Sequence, residues 1–141
     1  MAAFVKYNSF INELAKGSHG LNACTYRLAL TNTAPNAASD TVWNTTVYPA
    51  PTAANGYPTG GNQPGITSNV TTAGVFKLVL ADTVFTATAG GIGPFRYVII
   101  YNSSASNKVV GYYDYASSIT LNDTETFTVD FDAANGVLTL T

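Results

Sequence analysis

The sequence predicts an all-β protein: a jelly roll or related antiparallel β-sandwich with one short N-terminal helix. Three observations carry this expectation. About nine or ten short segments alternate apolar with polar residues, and clusters of Gly, Pro and Asn separate them. One run, Pro94 to Asn102, is apolar on both faces and rich in aromatic and β-branched residues, as a strand covered above and below must be. Only one segment, Phe4 to Lys16, carries helical spacing.

The elements follow in order. Tyr7, Phe10, Ile11 and Leu14 repeat at three- and four-residue intervals and give a helix one apolar face. Asn8 or Ser9 can cap its start, and Gly17 or Gly20 can end it. So short a helix must pack on the sheets, as a lid over the core or as an arm on another subunit. Cys24 to Thr31 reads as the first strand, and Val42 to Tyr48 as a short strand holding Trp43. Pro49 to Gly65 contains four prolines and four glycines and supports no ladder. A loop of that length is uncommon inside a compact domain. It reads as an ordered excursion that wraps the domain's own surface or meets a partner.

Strands then follow at Ile66–Thr72, Val75–Ala81, Thr83–Ala89 and Pro94–Asn102. Val109 to Tyr115 is expected to pair with the central strand as a hairpin across Asn102–Lys108. Ser118–Leu121 is a further short strand. Phe127, Val129 and Phe131 point inward from Thr124–Asp132, with Thr126, Thr128, Asp130 and Asp132 outward. Asn135-Gly136 is expected to close a terminal hairpin with Val137–Thr141. No repeat or linker divides the chain, so residues 1–141 form a single domain, with an arm at 1–20 and a long loop at 49–65.

Composition bounds the function. A chain of 141 residues buries enough surface to need no disulfide or metal staple. Charged residues make up 10%, against about 25% in an average protein. With a net charge of −2, copies repel each other little, which favours self-association or docking on a larger surface. The six Lys and Arg are scattered, so no basic stripe for nucleic acid exists. No apolar run approaches a membrane span, and Met1–Lys16 carries no secretory pattern.

Candidate chemistry is sparse. His19, the one histidine, falls between Ser18 and Gly20 and is expected at the surface. Cys24 reads as a small buried residue, with no neighbour to activate it. Asp130 to Gly136 resembles a calcium loop, but Ala134 occupies a ligand position and the glycine comes one residue late. Asp123, Glu125, Asp130 and Asp132 gather near the C-terminus without a cleft to place two of them across a substrate. The expectation is therefore no catalytic residue, no cofactor and no metal.

A series of motifs spans nearly the whole chain: Lys6-Tyr7-Asn8-Ser9-Phe10, Leu30-Thr31-Asn32-Thr33-Ala34-Pro35, Asn55-Gly56-Tyr57 with Gly60-Gly61, Lys77-Leu78-Val79-Leu80, Gly93-Pro94-Phe95-Arg96-Tyr97, Gly111-Tyr112-Tyr113-Asp114-Tyr115, and Glu125 to Asp132. This series resembles a family of small virion structural proteins of tailed bacteriophages. The resemblance implies a capsid decoration, or cement, protein on the exterior of the virion head. Its implied partners are the major capsid protein and itself, as a homodimer or homotrimer, with no nucleic acid and no membrane. The contact residues expected are Tyr7, Phe10, Tyr57, Pro58, Gly60 and Gly61. Two other readings stand beside it: a tail or fibre module that binds host glycan, and a cell-wall enzyme.

Overall fold

The computed structural model describes residues 2–141. In chain order the elements are β1 (Phe4–Lys6), α1 (Asn8–Ala15), β2 (Tyr26–Thr31), β3 (Ile66–Thr72), β4 (Val75–Leu80), β5 (Thr83–Thr86), β6 (Ile92–Asn102), β7 (Lys108–Leu121), β8 (Thr126–Val129) and β9 (Leu138–Leu140). They form a four-stranded sheet β1-β7-β6-β2, a three-stranded sheet β3-β4-β9 and a two-stranded sheet β5-β8. All pairings are antiparallel. The all-β sandwich with one short helix is thus observed. The jelly-roll form of the expectation does not emerge from these strand orders.

β6 lies at the centre, and eight of its eleven residues are buried, six of them without a break from Tyr97 to its end. Directly opposed residues of an antiparallel pair share a face. Val98 and Ile100 therefore lie with Leu30 and Leu28 of β2, and Val98 with Tyr113 of β7. On that face Tyr113 packs against Phe131 at 6.1 Å. Tyr97, Ile99 and Tyr101 fall on the opposite face, where no sheet waits.

Trp43 and the long loop cover that face. Trp43 stacks on Tyr101 with ring centroids 4.4 Å apart and planes 9° apart. The Tyr101 hydroxyl donates to Gly60 O at 2.7 Å, and Arg27 Nη1 donates to Gly61 O at 3.1 Å. Leu30 N donates to the Tyr57 hydroxyl, and Leu28 N to Asn62 O. The free edge of β2 is therefore closed by loop, which removes an aggregation template. Of the two roles expected for this loop, the wrapping of its own domain is the one the contacts display.

Close approach explains two glycines. Gly61 (φ +83°) and Gly56 (φ +90°) lie so near the backbone that an added Cβ would sit 1.8 Å from Leu28 O and 1.9 Å from Thr86 O. No side chain fits either place.

Several local expectations are corrected. Phe4–Lys6 pairs with β7 as a strand, so the helix begins only at Asn8. Its N-cap is Tyr7, which makes no side-chain cap bond, while Ser9 Oγ donates to Asp40 O. Val42–Tyr48 is not a strand. One bridge joins Val42 to Lys108, and then Asn44 Oδ1 accepts from Thr46 N and Val47 N, a turn that competes with the ladder. β7 runs unbroken to Leu121 and absorbs the separate strand expected at Ser118. The terminal hairpin does not form. β9 pairs with β4, because Val137 N bonds Leu78 O and buried Val137 and Leu138 draw the chain across to the other sheet.

Gly61→Ala and Gly56→Ala are each expected to lower stability by more than about 2 kcal/mol. Gly65→Ala, where nothing lies within 4 Å of the added carbon, is expected to stay within about 0.5 kcal/mol. Denaturant melts of the three variants check this.

Candidate interaction surface

The side chains able to do chemistry are engaged inside the fold. His19 is 4% exposed, not at the surface as its turn context implies, because Phe10 packs on its ring at 5.0 Å. Asn102, at the end of β6, reaches it from across the sheet. Asn102 Nδ2 donates to His19 Nδ1 at 3.1 Å and to Cys24 Sγ at 2.9 Å, while Oδ1 accepts from Ser104 N and Oγ. This assigns the imidazole proton to Nε2, which has no partner.

Cys, His and Asn together resemble a nucleophilic site, but the roles do not match. Burial raises the Cys24 pKa and lowers that of His19, so both groups are held neutral. The thiol donates to Gly20 O at 3.1 Å. The cluster is a buried polar knot that ties the helix-following turn to the end of β6. Its members lie 78 and 83 positions from Asn102, so no sequence spacing announces it.

The carboxylates fasten the backbone. Asp82 Oδ1 accepts from Phe131 N, Asp123 Oδ1 from Ala89 N, and a Glu125 oxygen from Asn122 N, at 2.7–2.8 Å. Asp132 Oδ1 accepts from Ala134 N and Asn135 N, which hold its pKa below the usual range. The residues of the calcium-like stretch thus build a turn. Among the described residues no three His, Cys, Asp or Glu side chains converge as metal ligands. Arg96 makes a two-pronged ion pair with Asp114 at 2.7 and 2.8 Å, which lowers the Asp114 pKa. Asp40 accepts from the Tyr48 hydroxyl, which meets the Tyr7 hydroxyl at 3.1 Å, and this chain latches the arm to the body.

The expected contact residues divide. Tyr7 and Phe10 are fully buried, Tyr57 is 2% exposed and Gly61 is buried. The side chains of Tyr7, Phe10 and Tyr57 pack arm and loop onto the core, and Gly61 lies against the β2 backbone, so none of the four presents a side chain at the surface of the single chain. Burial pushes the Tyr57 hydroxyl up to about 12. Pro58 is exposed and Gly60 half-buried. The aromatic rings that a glycan site would need are likewise withdrawn: Trp43, Tyr57 and Tyr113 are buried, and Tyr112 sits between Tyr7 and Tyr97.

Two grooves lie at the surface. A groove of about 200 Å³ opens between β1 and β9, lined by Phe4, Phe10, Leu138 and Leu140 among others. Another of about 350 Å³ lies on the outer face of β3 and β4, over Ser68, Val70, Thr72, Val75 and Lys77. Sequence patterning places Phe4 and Phe10 on the helical segment and the others on strands, but does not single them out as a surface. No protein-family model, curated protein or solved structure matches the chain.

Two expectations follow. Asn102→Ala leaves buried His19 and half-buried Cys24 without a donor and is expected to cost roughly 2 kcal/mol in a thermal melt. Glu13 is held at about 2 by the Ser18 hydroxyl and by Lys108 at 2.9 Å, below its ordinary 4.5. The stability it adds is complete above about pH 4.5 and is lost as pH falls toward 2. Glu13→Gln is expected to flatten the stability profile across that window, read by denaturant titration at each pH.

Proposed function

We propose that the chain is a head decoration protein of a tailed bacteriophage. It binds the major capsid protein on the exterior of the particle and reinforces the shell. The resemblance of the residue series motivates the reading. The observation that carries it physically is that most reactive and charged side chains are engaged within the fold, while the exposed surface is mostly uncharged Thr, Asn, Ser and Val. A cement protein needs a stiff body and a surface that fits between capsomers, and it needs no catalytic group. Contacts that are modest for one copy add up over a shell that carries many. Small symmetric oligomers suit the axes of such a shell.

Particles assembled without this chain are expected to rupture at lower temperature than complete ones. A map of complete particles is expected to place it over junctions between capsid subunits. Heads of unchanged stability with a missing tail component would overturn the proposal. Selective retention on a glycan array, with heads unaffected, would favour the tail or fibre reading instead.

A further inference from the structure

We infer that the outer edge of β3 is a self-association site, at which two copies of this chain pair antiparallel about a two-fold axis through Val70. β3 is the end strand of its sheet, so one side of it has no strand beside it. It is seven residues long, from Ile66 to Thr72, with no charge and no proline. Lysines, prolines and covering loops are the devices that normally block such an edge. A bulge between Ile66 and Ser68 disturbs only its beginning.

The phase of the pleat decides which backbone groups face outward. Ala73 and Gly74 both have positive φ, +50° and +81°, as a two-residue type I′ hairpin turn requires. In such a hairpin the flanking pair, Thr72 and Val75, exchanges both ladder bonds. Hydrogen-bonded and non-bonded pairs then alternate. Asn69 and Thr71, opposite Leu78 and Phe76, are therefore non-bonded toward β4. The other side of β4 agrees: Leu78 O accepts from Val137 N, on the flank facing β9. The N–H and C=O groups of Asn69 and Thr71 point away from the sheet. Among the described residues no backbone partner meets them. The Asn69 side chain donates to Asn22 O, and Val70 to Thr72 remain exposed.

This edge is complementary to itself. With the axis at Val70, Asn69 of one copy faces Thr71 of the other, and each such pair exchanges both of its hydrogen bonds. Val70 then meets its own counterpart at a non-bonded position, where side chains approach most closely. Val70 is the most exposed large apolar side chain described, at 52%, and Val75 on the same face is 37% exposed. Pairing covers Val70, while Val75 lies one strand back on β4. Charge does not oppose it. Lys77 is the one ion on that face, one strand back from the edge, and its ammonium is turned to Ala134 O at 2.9 Å. The edge of a single strand buries less than the roughly 1,200 Å² of a standard stable interface. The dimer is accordingly weak in dilute solution and fills as local concentration rises. The inference concerns the isolated chain and does not rest on the capsid reading.

The test uses the purified chain with Cys24 replaced by Ser. Val70→Cys is expected to form a disulfide-linked dimer under mild oxidation, since opposed Cα atoms at a non-bonded position lie about 4.5 Å apart. Val84→Cys, 49% exposed on β5, is expected to cross-link far more slowly. By sedimentation, Val70→Lys and Thr71→Pro are each expected to weaken dimerisation about tenfold or more. The Thr71 amide faces outward, so proline there leaves the β3–β4 ladder intact, and circular dichroism of both variants checks the fold. Equal cross-linking at positions 70 and 84, or a dimer indifferent to both substitutions, would overturn the inference. So would a strictly monomeric parent chain at millimolar concentration.

Discussion

Burial of β6 on both faces is the constraint on which the molecule depends. A strand apolar on both sides needs two covers, and the chain makes only one of them from sheet. The other comes from irregular backbone between Trp43 and Asn62. Irregular backbone can cover a core only when its own polar groups are met. Arg27, Thr31, Tyr57 and Tyr101 meet them, by donating to or accepting from loop or strand backbone. Gly61, without room for a side chain, lets the loop lie this close to β2, and Gly56 does the same against Thr86 at the end of β5. The long loop, the glycines and the buried tyrosines are one solution to one packing problem.

The scarcity of charge has a related physical reading. Seven of the eight acidic side chains accept from a backbone N–H, a hydroxyl or a cation within the fold. Each acts as a fastener for a turn, a crossing or an ion pair. Few charges remain to keep neighbouring proteins apart. The outer edge of β3 is the extreme case, a row of backbone donors and acceptors flanked by Thr and Val. A surface of this kind is suited to fitting against other protein, which is the common ground of the proposed capsid role and the proposed pairing of copies.

Strand positions were legible from the residues because period-two alternation is a local property. Phe127, Val129 and Phe131 turn inward as their spacing implies, and Pro94–Asn102 is the centre of the sheet. Other features were hidden for stated reasons. Asn44 diverts its segment into a turn with a side-chain bond that alternation cannot register. His19 looks like a surface turn residue until Asn102, far away in the chain, accounts for its burial. Tyr7, Phe10 and Tyr57 look like projecting aromatics because helix and loop context says nothing about which way the tertiary fold turns them.

The sequence by itself determined an antiparallel β protein with a single short helix, a low charge and a two-residue turn between β3 and β4. Those are matters of periodicity, composition and local dihedral preference. Only the tertiary structure decided that β9 joins β4, that the Pro- and Gly-rich loop closes the edge of β2, and that β3 is left without a neighbour. A strand's pattern states which side it buries but not which strand lies beside it, and a loop without a period carries no pattern to state either.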